Sequence, residues 1–185
     1  MYNRTYKMML VALFAALTAV GAFIKIPVPP VPFTLQNFFV VLSALILGPK
    51  LASAAQIIYL LIGLSGIPVF AYGGGIQYVI NPTFGYLAGF AAFAFTTGMI
   101  IKKLKKPTYI NYFIASLSGM IISYIIGVAY LYIVYRFISH KDTTVSSVIV
   151  NGFLLFLPWD IVKIALASFV GREVVKRLKW AGVGH

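Results

Sequence analysis

The chain has 185 residues, of which 61% are hydrophobic and 10% charged, with a net charge of +12 and no cysteine. Soluble domains are about 45–50% apolar and about 25% charged, so this composition excludes a soluble domain and predicts an integral membrane protein. The basic residues form short clusters between apolar runs, which marks membrane-protein loops and argues against nucleic-acid binding. The lack of cysteine excludes disulfides and thiol chemistry.

Six apolar segments predict a single all-α membrane domain built as a six-helix transmembrane bundle. In chain order the helices are expected over about 5–24, 33–47, 51–65, 83–101, 109–135 and 158–178. The second and third segments fall short of the ~20 residues that cross a bilayer, so a re-entrant hairpin entering from outside is an alternative for this pair. The last apolar run is too long for one span, and Pro158 favours a helix start there. The stretch before Pro158 then belongs to the outer connection or to a short partial helix.

The connections between these segments differ in length and charge. The four prolines of "KIPVPPVP" (25–32) exclude a helix and predict an extended loop, whereas "GPK" (48–50) predicts a tight break between two helices. With both termini in the cytoplasm, eleven lysines and arginines fall on the inner side and three on the outer side, which supports this orientation. The long loops 25–32, 66–82 and 139–157 are then outside. Long irregular loops usually carry function, so we predict a substrate pocket near the extracellular face.

Asp160 and Lys163 are the main candidates for a functional site. They are three residues apart on one helix face, within a strongly apolar segment. Ionisable groups in a membrane helix are costly and usually face a functional interior site. A purely structural ion pair is the alternative.

Several polar residues and aromatics near the predicted outer loops are further candidates for ligand contact. Gln36 and Asn37 begin the second segment, although Asn37 alone is equally suited to capping that helix. Gln77 and Asn81 lie in the glycine-rich loop, and Tyr86 follows it. A tyrosine at a membrane rim is more often an interfacial anchor than a ligand contact.

The first segment carries small residues at helical spacing. Ala12 and Ala16 repeat at i and i+4, as do Ala15 and Ala19. Such spacing lets another membrane helix approach closely, so these alanines are candidates for binding a partner subunit. Packing against helices of the same chain is the alternative.

Several classes of chemistry lack their residues in this sequence. There is no G-x-x-x-x-G-K-[ST] motif for ATP and no paired His, Cys or carboxylate cluster for a metal. Asp160 stands alone in an apolar segment, which leaves few groups for general acid–base catalysis. We therefore expect no cofactor and no enzymatic activity.

Five motifs in order along the chain resemble one family of membrane proteins. They are "VPFTLQN" (31–37), "LGPK" (47–50), "GLSGIPVF" (63–70), "NPTFGYLAGF" (81–90) and "PWDIVK" (158–163). Together they resemble the BioY family, the biotin-binding S components of energy-coupling-factor (ECF) transporters. The resemblance implies a six-helix bundle in the prokaryotic cell membrane. It also implies that the alanines of the first helix meet a transmembrane coupling subunit, with two cytoplasmic ATPases completing the complex.

The resemblance assigns roles to the candidate residues. Asp160 would accept a ureido N–H of biotin, and Gln36 or Asn81 would serve both edges of the ureido group. Aromatic side chains such as Tyr86 and Trp159 would enclose the thiophane ring. Lys163, Lys25 or Gln77 would bind the carboxylate, or Lys163 would only orient Asp160. The alternatives are an S component for another vitamin and a small membrane protein without a small-molecule ligand.

Overall fold

A computed structural model describes residues 4–29, 31–105 and 107–180, except the side chains of the last two. Pro30 and Lys106 of the predicted loops lie outside the described residues, as does the side chain of Lys179 in the basic C-terminal cluster. The described residues include seven α-helices, six of at least 12 residues and one short helix, and a 3-10 helix (Ile76–Ile80) before the fourth α-helix. The bounds of the α-helices are α1 (Arg4–Phe23), α2 (Gln36–Leu47), α3 (Pro49–Leu64), α4 (Phe84–Lys102), α5 (Tyr109–Ile133), α6 (Val145–Ile149) and α7 (Leu157–Trp180).

The proline-rich loop is a β-hairpin rather than an unpaired strand. β1 (Lys25–Ile26) pairs antiparallel with β2 (Phe33–Thr34), so two residues expected at the start of the second helix are extended instead. The Leu35 N–H donates to the Gly21 carbonyl at 3.0 Å, which ties the end of the hairpin to the last turn of α1. Helix α2 therefore starts only at Gln36.

The break between α2 and α3 is a single glycine. Gly48 has a φ of +75°, a conformation that glycine adopts without strain, and Pro49 follows as the first residue of α3. A Cβ on Gly98 of α4 would lie 2.6 Å from the Pro49 nitrogen, so the turn packs directly on α4. The two short helices span ~18 Å and ~24 Å, less than the ~30 Å hydrocarbon core.

Helices α4 and α5 run antiparallel and pack closely. A Cβ on Gly89 would lie 2.7 Å from the Ser123 hydroxyl, and a Cβ on Gly119 would lie 2.3 Å from the Thr97 hydroxyl. Small residues let the two backbones approach, as at other membrane helix interfaces. Helix α2 contacts α1, α3, α4, α5 and α7, so it lies at the centre of the bundle.

The last apolar run is broken into pieces. Helix α6 is followed by a π-helical turn (Val150–Leu154), and α7 begins at Leu157 with Pro158 as its second residue. Proline fits there because the first-turn N–H groups have no partner within the helix. A second π-helical turn (Val134–Ile138) ends α5. Both turns lie at the end of the bundle where the hairpin is found.

Within the described residues, four helical segments are long and apolar enough to cross a membrane. They are Arg4–Phe23, Phe84–Lys102, Tyr109–Ile138 and Val145–Leu178, while α2 and α3 are apolar but shorter. Large hydrophobic side chains, including Leu13 and Ile125, are exposed on the outer surface of the bundle. An apolar exterior of this kind is expected for a surface that faces lipid.

Candidate ligand-binding site

A cavity lies between the hairpin, the loop before α4 and the adjoining ends of α2, α4, α5 and α7. Its empty volume is about 610 Å³, including open solvent at its mouth. Small-molecule sites are mostly apolar with a few placed polar groups, and the lining of this cavity has that character. The apolar lining consists of Val31, Pro32, Phe33, Ala71, Leu87, Phe90, Phe93, Met120 and Phe156. The polar lining consists of Thr34, Gln36, Asn37, Tyr78, Thr83, Tyr86, Ser123, Tyr124, Asp160 and Lys163.

Asp160 and Lys163 form a buried ion pair in the first turns of α7. The side chains are 5% and 15% exposed, and Lys163 Nζ contacts Asp160 Oδ1. The early position of the proline in α7 places the carboxylate in the first turn of the helix, where the positive end of the helix dipole stabilises it. Both side chains line the cavity.

Two neutral donors complete the surroundings of the Asp160 carboxylate. Asn37 Nδ2 donates to Oδ2 at 2.9 Å, and the Tyr124 hydroxyl donates to the same oxygen. Lys163 Nζ also donates to the Thr34 carbonyl at 2.7 Å. The lysine thus orients Asp160 and anchors β2 to α7, and the carboxylate connects α2, α5 and α7.

Gln36 belongs to a second hydrogen-bonded chain along the cavity wall. Its Nε2 donates to the Tyr59 hydroxyl at 2.8 Å, and its Oε1 accepts from the Thr34 hydroxyl at 3.0 Å. The Tyr59 hydroxyl in turn donates to the Val69 carbonyl at 3.1 Å. This chain holds the hairpin, α2, α3 and the loop before α4 in one arrangement.

Tyr86 is fixed as a wall of the cavity by two glycines. Its hydroxyl donates to the Gly152 carbonyl at 2.8 Å. A Cβ on Gly127 would lie 2.2 Å from the Tyr86 ring, and a Cβ on Gly152 would lie 2.6 Å from its hydroxyl. A larger residue at either Gly127 or Gly152 would therefore overlap the Tyr86 side chain.

Three predicted site residues lie outside the cavity lining. Gln77 is exposed, and its Nε2 donates to the Gly74 carbonyl at 2.9 Å. The Asn81 side chain accepts from Thr83 N at 2.9 Å and so fixes the turn before α4. Trp159 is 62% exposed and meets the cavity only indirectly, through an edge contact with Phe33. The structure thus brings Gln36, Asn37, Tyr86, Asp160 and Lys163 together and leaves these three apart.

The most informative residue that sequence reasoning did not single out is Tyr124. It is one of several tyrosines on α5, and nothing in the pattern distinguishes the one that reaches Asp160. Thr83 was also missed, and its hydroxyl is 3.0 Å from that of Tyr78 in the glycine-rich loop. Burial raises the pKa of the Tyr78 phenol, which therefore stays neutral in the cavity wall.

Lys25 joins the two loops at the mouth of the cavity. Its Nζ donates to the carbonyl of Ala71 and lies 5.1 Å from the centroid of the Tyr72 ring. Residue 25 belongs to β1, and residues 71 and 72 belong to the loop before α4. We call these three residues the mouth clasp, because they connect the hairpin to that loop.

The four alanines of α1 divide between two faces. Ala12 and Ala16 are exposed, whereas Ala15 is only 3% exposed and Ala19 is partly buried against the core. Ala15 packs within this chain, so the prediction that it contacts a partner subunit needs correction. Only the pair at i and i+4 on the exposed face is available to another helix.

The model of the BioY family matches residues 1–180 of the chain.

The chain belongs to the BioY family.

Curated relatives in the BioY family resemble most of the chain. The chain is 45% identical over 164 residues to a probable biotin transporter BioY of Lysinibacillus sphaericus, covering 89% of this chain and 83% of the relative. It is 41% identical to the biotin transporter BioY of Thermotoga maritima, covering 89% and 92% of the two chains. The family resemblance drawn from the five motifs is thereby confirmed.

Solved structures show the same architecture. A crystal structure of the S-component for biotin from an ECF-type ABC transporter superimposes with a TM-score of 0.83 at 26% identity, covering 95% of both chains. The S component of a bacterial ECF transporter matches with a TM-score of 0.55 at 20% identity, covering 96% and 97% of the chains. At that lower identity the second match bears on the fold alone.

Proposed function

We propose that this protein binds biotin in the described cavity and is the S component, the substrate-binding membrane subunit, of an ECF-type ABC transporter. The observation that carries the proposal is the Asp160 carboxylate, which is buried at the wall of a largely apolar cavity and held by Lys163, Asn37 and Tyr124. The relatives named as biotin transporters support the choice of ligand. In this proposal the protein is not an enzyme and needs no cofactor.

The chemistry of biotin matches both the polar and the apolar parts of the cavity lining. Its ureido ring offers one N–H donor to Asp160, and its thiophane ring suits the aromatic wall formed by Phe90, Phe93 and Tyr86. Lys163 has three N–H donors, of which Asp160 and the Thr34 carbonyl take two. The third is free for the ligand. The proposed contacts use Gln36 and Asn37 as well, and they do not use Gln77, Asn81 or Trp159.

The proposed topology has six helices in the cell membrane and both termini in the cytoplasm. The apolar outer surface of the bundle and the four long helices support a membrane location. The basic clusters at Lys102–Lys105 and Arg172–Lys179 would then lie on the inner side. The cavity and its mouth clasp would open to the outside, where biotin enters.

The proposed transporter contains a transmembrane coupling subunit and two cytoplasmic ATPases besides this chain. The exposed alanines Ala12 and Ala16 suit close packing with a helix of the coupling subunit. ATP hydrolysis would reorient the loaded S component so that the cavity opens inward. Few charges on the lipid-facing flank favour such a movement, because a charge at the bilayer centre costs at least about 2.5 kcal/mol.

The proposal is tested by identifying the ligand that copurifies with the full chain from a biotin-containing culture. Mass spectrometry should find biotin, and Asp160→Asn should bind it about 10- to 100-fold more weakly, because a hydrogen bond to a charged acceptor is lost. The control is Asp142→Asn in the exposed loop before α6, which should bind like the unaltered protein. Retention of thiamine or riboflavin in place of biotin, or full biotin affinity in Asp160→Asn, would contradict the proposal.

A further inference from the structure

The Tyr124 hydroxyl has a specific position that the packing of its ring does not explain. The ring packs edge-on against Tyr86, with centroids 6.0 Å apart, and against Phe153 at 4.9 Å. These contacts would persist with a phenylalanine. The hydroxyl instead points to Asp160, to whose Oδ2 it donates.

The donors that already bind the Asp160 carboxylate leave few of its acceptor positions for a further donor. An ionised carboxylate offers about four acceptor positions. Lys163 takes one at Oδ1, while Asn37 and Tyr124 take both at Oδ2. One acceptor position therefore remains for a ligand, on the oxygen that faces the lysine.

The neutral donors also affect which ligand charge the carboxylate prefers. Hydrogen bonds from Asn37 and Tyr124 draw negative charge away from the oxygens, and Lys163 compensates most of what is left. A carboxylate surrounded in this way suits a neutral N–H donor. It attracts a cationic donor less strongly than an unpaired carboxylate would, because the ammonium group of Lys163 lies beside it and repels the cation.

We propose that Tyr124 is a positioning residue that makes Asp160 selective for one neutral N–H donor over a cationic one. The inference rests on the proposed binding of biotin at this cavity. In this role the phenol of Tyr124 occupies one acceptor position on Oδ2 of Asp160 and reduces the negative charge of that oxygen. Without the phenol, Oδ2 has an open position and a stronger attraction for cations.

Tyr124→Phe separates the hydroxyl from the ring. Two probes are compared on the purified full chain: biotin, and 2-iminobiotin, whose ureido oxygen is replaced so that the ring is a cationic guanidinium at neutral pH. The hydrogen bond from Tyr124 to Asp160 exists with and without ligand, so its loss should change the affinity for biotin by less than about threefold. The open position and the greater negative charge on Oδ2 should let 2-iminobiotin bind more tightly, so that the preference for biotin over 2-iminobiotin falls by about fivefold or more.

The matched control is Tyr132→Phe, two turns further along α5. Tyr132 lines an apolar groove on the outside of the bundle rather than the cavity. This variant should keep both affinities. A second variant has 3-fluorotyrosine at position 124, which retains the ring and the hydroxyl but donates a stronger hydrogen bond. It should raise the preference for biotin, a change that general loosening of the fold cannot produce.

The outcomes separate the two proposals. If the unaltered protein does not bind biotin, the proposed function fails. If it binds biotin but Tyr124→Phe weakens both probes equally, or changes neither, the role assigned to Tyr124 is overturned. If Tyr124→Phe does not fold, an unchanged or lowered preference in the 3-fluorotyrosine protein overturns that role instead.

Discussion

At the scale of single residues, the cavity depends on side chains that are held from several elements at once. Asp160 on α7 receives donors from α2 and α5, and Lys163 reaches back to the hairpin. A buried charge with all of its partners is tolerated, whereas removing one partner leaves an unpaired charge at a cost of several kcal/mol. The ion pair therefore supports both the binding site and the local fold.

The fit of Tyr86 against Gly127 gives a prediction at this scale. Gly127→Ala would place a methyl group 2.2 Å from the Tyr86 ring, so the ring must move away from Gly152. We expect a loss of about 1–3 kcal/mol of stability from overpacking, together with weaker biotin binding. A thermal unfolding measurement in detergent, with and without biotin, checks both effects.

Gly171→Ala in α7 is the control for this substitution. The added methyl group would meet chiefly the end of the flexible Leu45 side chain, at 2.6 Å, which can turn aside. The midpoint of unfolding should therefore fall less than in Gly127→Ala. An equal fall in the midpoint of unfolding of both variants would show that the close fit of Tyr86 against Gly127 has no special effect on stability.

At the scale of elements, the hairpin and the loop before α4 act together as the outer cover of the cavity. Pro32 and Phe33 from the hairpin and Ala71 and Tyr78 from the loop line the cavity. The mouth clasp joins these two elements directly, in addition to the hydrogen-bonded chain through Gln36 and Tyr59.

Lys25→Met tests the mouth clasp. The substitution removes a hydrogen bond and a cation–π contact, each worth about 1 kcal/mol, so biotin should dissociate up to about 30-fold faster. Stopped-flow displacement of labelled biotin measures this rate. Lys141→Met is the control, because Lys141 lies at the same 5.1 Å from a tyrosine ring, that of Tyr135, in another loop.

The same variant distinguishes a clasp from a direct contact with the ligand. If Lys25 binds the carboxylate of biotin, Lys25→Met should weaken biotin but leave a neutral biotin amide unaffected. If Lys25 only closes the mouth, both ligands should dissociate faster by the same factor. Unchanged dissociation of both ligands would exclude either role.

At the scale of the whole molecule, the asymmetry of charge and of loops defines two ends of the bundle. The hairpin, the mouth clasp and both π-helical turns lie at one end. The short connection at Gly48 and the basic residues after α4 lie at the other. Transport by reorientation requires these ends to face opposite sides of the membrane.

The absence of cysteine from the chain makes this topology testable. Ser139→Cys should react with a membrane-impermeant maleimide in intact cells, because residue 139 lies in the predicted outer loop. Lys103→Cys should react only after the cells are permeabilised. Labelling of Lys103→Cys in intact cells would reverse the orientation proposed from the basic clusters.

The exposed face of α1 gives a further prediction at this scale. Replacing Ala12 and Ala16 together by leucine would add bulk where close helix packing is proposed. The variant should bind biotin normally but recover less coupling subunit in a copurification assay. Ala129→Leu, at an exposed alanine of α5, is the control and should recover the normal amount.

Several features of this protein follow from sequence alone because each has a local physical cause. Apolar runs and few charges imply membrane helices, proline clusters exclude helix, and glycine followed by proline marks the turn at residue 48. The i, i+3 spacing of Asp160 and Lys163 predicts their ion pair for the same reason. The five motifs were sufficient to identify the family.

Only the tertiary structure decided which side chains meet across the bundle. Sequence spacing cannot tell which α5 tyrosine reaches Asp160, that Gln77 turns away to Gly74, or that Ala15 faces inward while Ala16 faces outward. These outcomes depend on the rotation and crossing of whole helices, which are set by packing among residues far apart in the chain. The pair at positions 160 and 163 was therefore predictable, and the donors that complete its surroundings were not.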